Sequence, residues 1–192
     1  MAFLEIIVVN WNGLNLLKQC IESLQRQTCG DFTMTVVDNG SNDGSVAWLQ
    51  TNHPSVKLIP LDDNTGFARA NNLAALQSNA DYLLLLNNDI EVEPNFIDAI
   101  CCGLQKHPDA DMASVCMIQH HRRDRVDNLG MDWTWVGVPR QLGHGFAVEK
   151  ISREEKFIFG PSAGAGVYRR DLFLKLGGFD ETFFAYCEDS DL

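Results

Sequence analysis

Asparagine, aspartate and glycine residues follow directly after apolar runs that are typical of buried strands. Asn87, Asn88 and Asp89 come after the run YLLLL, and Asp38 comes after the run TMTVV. Two more loops carry the same residue types, with the sequences NWNG and NTGFARANN. Such residues also form turns for local reasons, so any single loop of this kind indicates little about function. A set of them at one edge of a sheet would indicate a polar binding site.

Asp89 is the candidate metal ligand in this set. A carboxylate at the tip of a rigid strand is a hard oxygen ligand suited to Mg²⁺ or Mn²⁺. Few basic side chains accompany these loops, so a bound diphosphate would need compensating positive charge from such an ion. Neither GxGxxG after the first apolar run nor GxxxxGK followed by Ser or Thr occurs, which argues against a dinucleotide site and a P-loop.

The elements that would position these loops alternate between strands and helices. The apolar patterns predict strands at 3–10, 33–38, 56–61, 82–87 and 112–118 and helices at 15–28, 45–52, 67–79 and 94–107. Alternation with continuous apolar strands predicts an α/β fold, a mostly parallel sheet with helices on both faces. Ligands of such sheets bind beyond the carboxyl ends of the strands, where the polar loops lie.

The second part of the chain has a looser pattern. Loops and one short hairpin are expected over 119–158. A strand and a helix follow in PSAGAGVYRR and DLFLKLGGFDE, and Gly177 and Gly178 are expected to end that helix.

Composition limits the class of protein. The 192 residues suit one domain, and a formal charge of -11 argues against nucleic acid as a partner. No apolar run approaches the roughly 20 residues of a membrane span. The N-terminus carries no basic leader, and the six cysteines form no CxxC pair, so we expect reduced cysteines in a cytoplasmic protein.

Five segments together resemble the family 2 glycosyltransferases with the GT-A fold, and within them the bacterial rhamnosyltransferase-like enzymes. These segments are VVNWNG, VVDNGSNDGS, NTGFARANN, LLLLNND and GGFDETFFAYCEDSDL, and the resemblance runs from Ile6 to Leu192. It implies a metal-dependent, inverting transfer of a sugar from a nucleotide-sugar to a hydroxyl acceptor, in bacterial cell-surface polysaccharide synthesis. It also implies one GT-A domain, with a nucleotide-sugar-binding half at 1–118 and an acceptor-side half at 119–192. That second half would be incomplete and the chain truncated, because the family continues past this point.

The resemblance assigns the nucleoside to the ends of the first two strands. Asp38 matches the aspartate that holds the base, and the alternative is a residue that only forms an Asx turn. Val9, Asn10 and Trp11 match the segment that lines the base pocket, and Trp11 could equally be a core aromatic.

The resemblance also assigns the loop and helix that close over the donor. Asn64, Gly66 and Asn71 lie in this segment, and the helix that begins near Phe67 is expected to offer free backbone N–H groups. Arg69 could contact a phosphate or be a solvated helix residue.

The segment NND stands where the family carries its DxD motif. Asn87 replaces the first aspartate and could still bond a ribose hydroxyl, while Asn88 belongs to the donor site and Asp89 matches the metal ligand. The segment YCEDSDL matches the family's ED motif, which makes Asp189 the general base. Glu188 could exchange roles with it, and the alternative is an acidic surface turn.

The partners follow from the same resemblance. The donor would be a UDP-, dTDP- or GDP-sugar, and the acceptor a glycan or a lipid-linked molecule, with peripheral membrane contact at the inner face as an open alternative. A sugar-nucleotide pyrophosphorylase would carry a basic glycine-rich loop where this chain has NWNGLN. A non-catalytic nucleotide-sugar-binding module is the other alternative, and the presence of Asp38, Asp89 and Asp189 argues against it. Nothing in the sequence indicates an oligomeric state.

Overall fold

Ten strands occur in the computed structural model, which describes residues 3–152, 154 and 156–192. They are β1 (Leu4–Asn10), β2 (Phe32–Asn39), β3 (Lys57–Leu61), β4 (Tyr82–Asn87), β5 (Met112–Ser114), β6 (Met117–Ile118), β7 (Val126–Asn128), β8 (Met131–Trp133), β9 (Pro139–Gln141) and β10 (Ala165–Arg169).

The helices alternate with the strands in the first part of the chain. They are α1 (Leu14–Gln25), α2 (Ser45–Asn52), α3 (Phe67–Gln77), α4 (Phe96–Lys106), α5 (Arg170–Lys175) and α6 (Glu188–Asp191), with a 3₁₀ turn at Val148–Lys150. The central sheet has the strand order β3-β2-β1-β4-β10-β5. Strands β1 to β4 are parallel, and β10 runs antiparallel to both of its neighbours. The predicted α/β, mostly parallel sheet is therefore confirmed.

Apolar residues of the strands pack on both faces of this sheet. Ile6 and Val8 of β1 face a cluster that includes α1 and α4, whereas Ile7 faces a cluster that includes α3 and α5. Successive strand residues point to opposite faces, so a strand covered on both sides must be apolar throughout. This burial makes the central strands a rigid support for the polar residues at their ends.

One predicted strand is wrong. The run 112–118 does not form a single strand, because it divides into β5 and β6, which belong to different sheets. Strand β5 pairs with β10 as far as Ser114 opposite Gly166, and the chain then leaves the central sheet. Strand β6 pairs instead with β7. The apolar composition of the run continues across the break, but its pairing partners change.

The looser segment contains two strand pairs where one hairpin was expected. Strand β6 pairs with β7, and β8 pairs with β9, both in antiparallel register. Helix α5 ends as predicted, since Gly177 and Gly178 have φ values of 99° and 73° that favour glycine. All six cysteines are free. No helix in the described ranges is both long and apolar enough to span a bilayer.

Candidate active site

Asn10 connects the carboxyl ends of three neighbouring strands. Its side chain is fully buried at the end of β1. Its Nδ2 donates to Asp38 Oδ2 at 3.0 Å and to Ser41 Oγ at 3.3 Å. Its Oδ1 accepts a hydrogen bond from Asn88 Nδ2 at 2.8 Å. One amide therefore fixes the loops after β1, β2 and β4 relative to each other.

Gly13 allows the Asn88 side chain to reach Asn10. A Cβ atom built on Gly13 would lie 2.3 Å from Asn88 Nδ2, far inside contact distance. A side chain in place of this glycine of the NWNG segment would therefore displace the Asn88 amide.

Asp38 is held by bonds within the protein. Its carboxylate is buried, and Oδ1 accepts the backbone N–H of Ser41, three residues further on, at 2.9 Å. Its contact with a nucleoside base stays a prediction. Val9 is half-buried nearby, whereas Trp11 is 57% exposed, so the interpretation of Trp11 as a core aromatic is wrong.

The loop before α3 is built by hydrogen bonds between side chains and backbone. Asn64 Oδ1 accepts from Asn39 Nδ2 at 2.9 Å and from the Gly66 N–H at 3.0 Å. The Phe67 N–H donates to the Phe184 carbonyl at 2.7 Å. The expectation that this first helical N–H is free for a ligand is therefore wrong, because the segment before α6 caps it.

Two polar residues of α3 have partners within the protein. Asn71 is buried and its Nδ2 donates to the Phe67 carbonyl at 2.9 Å. Arg69 lies 3.8 Å from Glu181 with its side chain about half exposed, as a solvated helix residue would. Donor contacts from either residue stay predictions.

An open cleft of about 1340 Å³ brings the predicted metal ligand and the predicted base together. Asn87 and Asp89 line it at the tip of β4, and Glu188 and Asp189 line it from α6. Its walls also carry charged side chains of both signs, and Arg123 lies 3.8 Å from Glu91 and from Glu93. The other predicted donor residues lie outside this lining, grouped around Asn10 and around the loop before α3.

Asp189 is attached to the central sheet. Its Oδ2 accepts the Ala163 N–H at 2.9 Å, next to β10, and its Oδ1 accepts from Ser190 Oγ at 3.3 Å. Tyr186 and Cys187, directly before α6, have φ values of 73° and 72°, which non-glycine residues rarely adopt. Strain of this kind persists where surrounding contacts over-determine the backbone, and it is frequent at active sites.

Glu188 and Asp189 occupy different environments although they are adjacent. Glu188 is buried, so the alternative of a purely exposed acidic turn is wrong for it, while Asp189 is half-buried at the cleft. Burial and the nearby Asp189 charge raise the pKa of Glu188 above its ordinary value. The two adjacent carboxylates therefore differ in their burial.

The residues around Asp89 fit a metal ion whose other ligands come from the substrate. Among the described residues, no group of three or more His, Cys, Asp or Glu could hold a metal by itself. Asp89 is exposed at the strand tip, beside the half-buried amide of Asn87. Mg²⁺ is commonly held by one or two carboxylates together with substrate phosphates. A single carboxylate facing the cleft is compatible with that arrangement.

Several residues of the site were not predicted from the sequence. Ser41 bonds Asn10, and its own hydroxyl accepts the Asn12 N–H at 2.9 Å. Asn39 is buried and organises the loop before α3. Both lie in the DNGSNDGS segment, but their partners are distant in sequence. The backbone N–H of Ala163 donates to Asp189. An alanine in the sequence does not indicate such a bond.

Comparison with known proteins shows the family of this chain. The model of the family described as "Glycosyl transferase family 2" matches residues 5–177. The chain belongs to glycosyl transferase family 2. The resemblance found from the five sequence segments is therefore confirmed.

The relatives of this family 2 chain include enzymes of glycan synthesis. It is 26% identical over 217 residues to N-acetylglucosaminyl-diphospho-decaprenol L-rhamnosyltransferase from Mycobacterium tuberculosis, covering 98% of this chain and 68% of that protein. It is 29% identical over 136 residues to chondroitin synthase from Escherichia coli, covering 67% of this chain and 19% of that protein.

Solved structures share its fold. TarS from Staphylococcus aureus in complex with UDP aligns with a TM-score of 0.71 and 18% identity, over 97% of this chain and 52% of that one. A mannosyltransferase from Pyrobaculum calidifontis in complex with GDP-Man and Mn²⁺ aligns with a TM-score of 0.65 and 18% identity, over 98% and 50%. The GT-A architecture is therefore shown, and the chain spans about half of each of these two structures.

Proposed function

We propose that this chain carries out the inverting transfer of a sugar from a nucleoside-diphosphate donor to a hydroxyl acceptor. The observation that carries the proposal is the cleft that Asp89 and Asp189 both line, from the tip of β4 and from α6. In an inverting transfer the acceptor hydroxyl attacks the anomeric carbon opposite the departing diphosphate. The base and the group that holds the diphosphate must therefore act from different sides of the sugar, which two separate cleft elements can provide.

Asp189 is the residue that we propose as general base. Its carboxylate takes the proton of the acceptor hydroxyl while the bond from the anomeric carbon to the diphosphate oxygen breaks and the new glycosidic bond forms. The hydrogen bond from the Ala163 N–H orients one carboxylate oxygen, and the other accepts a longer hydrogen bond from Ser190 Oγ at 3.3 Å. A positioned base typically contributes about a hundred- to ten-thousandfold in rate.

The donor would lie along the carboxyl ends of β1, β2 and β4. The proposed donor-binding residues are Val9, Asn10, Trp11, Asp38, Asn64, Gly66, Arg69, Asn71, Asn87 and Asn88. Asp89 would hold a divalent ion, Mg²⁺ or Mn²⁺, which when bound supplies positive charge to the leaving diphosphate. UDP, dTDP and GDP are the nucleotides to test. The complexes of solved neighbours contain UDP and GDP-Man, and dTDP comes from the resemblance to rhamnosyltransferase-like enzymes.

The acceptor would be a glycan or a lipid-linked molecule. The relative from Mycobacterium tuberculosis is named for a diphosphate-linked lipid of this kind. We therefore propose a role in bacterial cell-surface polysaccharide synthesis, on the cytoplasmic side of the membrane.

The test is release of nucleoside diphosphate from UDP-, GDP- and dTDP-sugars, with Mn²⁺ or with a chelator, and with glycan or lipid-linked acceptors. We expect acceptor-dependent release from one donor class. A non-catalytic module would bind nucleotide without releasing diphosphate, and a pyrophosphorylase would release pyrophosphate from a nucleoside triphosphate and a sugar phosphate. Either result would overturn the proposal.

A further inference from the structure

The turn between β8 and β9 carries large apolar side chains that are exposed. Trp135 is 96% exposed, Val136 is 60% exposed and Val138 is 55% exposed. The sequence from 133 to 138 contains no charged residue, and we call this segment the hairpin tip. Single exposed apolar residues are ordinary, whereas several of them together on one turn mark an interaction surface.

The charges closest to the hairpin tip along the two strands form a pair with each other. Asp132 and Arg140 are opposite each other in the hairpin, with Arg140 Nη2 at 3.5 Å from Asp132 Oδ2. The apolar surface extends sideways from Trp133, whose ring contacts that of Phe159 at a centroid distance of 5.7 Å. Phe159 is itself more than half exposed. The surface is therefore suited to an apolar partner and offers no charge to an ionic one.

Hydrogen bonds within the hairpin tip satisfy several of its own backbone groups. The Thr134 N–H donates to the Val138 carbonyl, and the Gly137 N–H donates to the Thr134 carbonyl, both at 2.9 Å. The Val138 N–H donates to Thr134 Oγ1 at 3.1 Å. Hydrocarbon offers no hydrogen-bond partner, so a segment that enters lipid must pair its backbone groups internally. A turn closed in this way favours lipid over a protein partner, which can supply hydrogen bonds of its own.

The strands of this hairpin form part of the wall of the cleft. Met131 of β8 and Arg140 of β9 line it, whereas Trp135, Val136 and Val138 lie outside the lining. The hairpin tip therefore lies beyond the wall, and a surface that binds the tip would lie beside the cleft.

We propose that the hairpin tip inserts into the boundary between headgroups and acyl chains of a lipid bilayer, with Trp135 and Val136 in contact with lipid. Tryptophan favours this boundary, because its ring is apolar and its N–H is polar. Shallow burial of an apolar surface is how proteins bind a bilayer without spanning it. The lipid contact does not depend on the proposed function. Its consequence, that the cleft meets a lipid-linked acceptor at the membrane, does rest on that function.

Flotation with phosphatidylcholine vesicles tests the contact with one pair of matched variants. Val136→Asp places a charge in the hairpin tip, and Leu76→Asp places the same charge at an exposed apolar residue of α3. We expect Val136→Asp to weaken partitioning about tenfold or more, because burial of a valine side chain alone accounts for about a factor of ten. Leu76→Asp should bind as the wild type does. Absence of wild-type binding, or equal losses in the two variants, would overturn the proposal.

Tryptophan emission locates the contact within the chain. The wild type should show a shift to shorter wavelength when vesicles are added. Trp135→Phe keeps an apolar ring, so it should still bind and should lose most of the shift. Binding should also persist at high salt, since no charge of the tip takes part. An undiminished shift in Trp135→Phe, or loss of binding in salt, would contradict insertion of the tip.

Light scattering without vesicles tests a second copy of this chain as the occupant. A wild-type dimer that Val136→Asp dissociates would assign the hairpin tip to that copy and overturn the proposal. Release of nucleoside diphosphate to a water-soluble acceptor should be the same in Val136→Asp and in the wild type. If vesicle binding fails while the wild type transfers sugar, the proposal for the tip is wrong and the function stands. If no donor supports transfer while vesicle binding follows the variants as expected, the proposed function fails and the lipid contact stands.

Discussion

Replacing Asn10 with alanine should destabilise the protein strongly, because one buried amide joins three strand ends. The variant removes the hydrogen bonds to Asp38 Oδ2 at 3.0 Å and Ser41 Oγ at 3.3 Å and the one from Asn88 Nδ2 at 2.8 Å. A hydrogen bond to a charged group contributes about 1.5–3 kcal/mol and one between neutral groups about 1 kcal/mol. The sum predicts a loss of about 4 kcal/mol in the free energy of unfolding.

The measurement is urea denaturation of the wild type and the variant, followed by nucleotide binding to the variant. Asn52→Ala is the control, because Asn52 is exposed and its side chain bonds only the Trp48 carbonyl of its own helix among the described contacts. That control should change stability by less than about 0.5 kcal/mol. A loss below about 1 kcal/mol for Asn10→Ala, the net contribution of a single hydrogen bond, would refute the idea that this amide organises the loops.

Two further predictions concern the same edge of the sheet. Asp89→Ala should remove metal-dependent nucleotide binding. It should leave the urea midpoint unchanged, because the side chain is exposed at a strand tip. An unchanged affinity for nucleotide in Mn²⁺ would contradict the metal assignment. Gly13→Ala should cost about 1–3 kcal/mol, because its Cβ would lie 2.3 Å from Asn88 Nδ2 and must displace that side chain. Gly30→Ala, with no atom within 4 Å of the added Cβ, should cost far less, and equal losses would show that the close approach does not matter.

The sequence predicted the central strands because their burial on both faces forces an unbroken apolar run. The run at 82–87 coincides with β4. The same criterion failed at 112–118, where an apolar run continues while the chain moves from one sheet to another. Strand composition reports burial, and it does not report which strand is the partner.

The residue types of the site were predictable, but their partners were not. Asn10 was predicted to line a base pocket, which stays a prediction, whereas the bonds of its side chain to Asp38, Ser41 and Asn88 were not predicted. The cap that Phe184 places on α3 depends on a residue more than half the chain away. Contacts between distant segments follow from packing, which a local pattern does not contain.

Asp189→Asn tests the central claim most directly, with donor binding and sugar transfer measured on the same protein. The substitution keeps the shape of the side chain and removes the ability to take a proton. We predict unchanged donor affinity and a fall in transfer of about a hundredfold or more. Asp191→Asn, on the exposed side of the same short helix, is the control and should transfer normally. Near-normal transfer by Asp189→Asn would contradict the account, and the base would then have to be another residue.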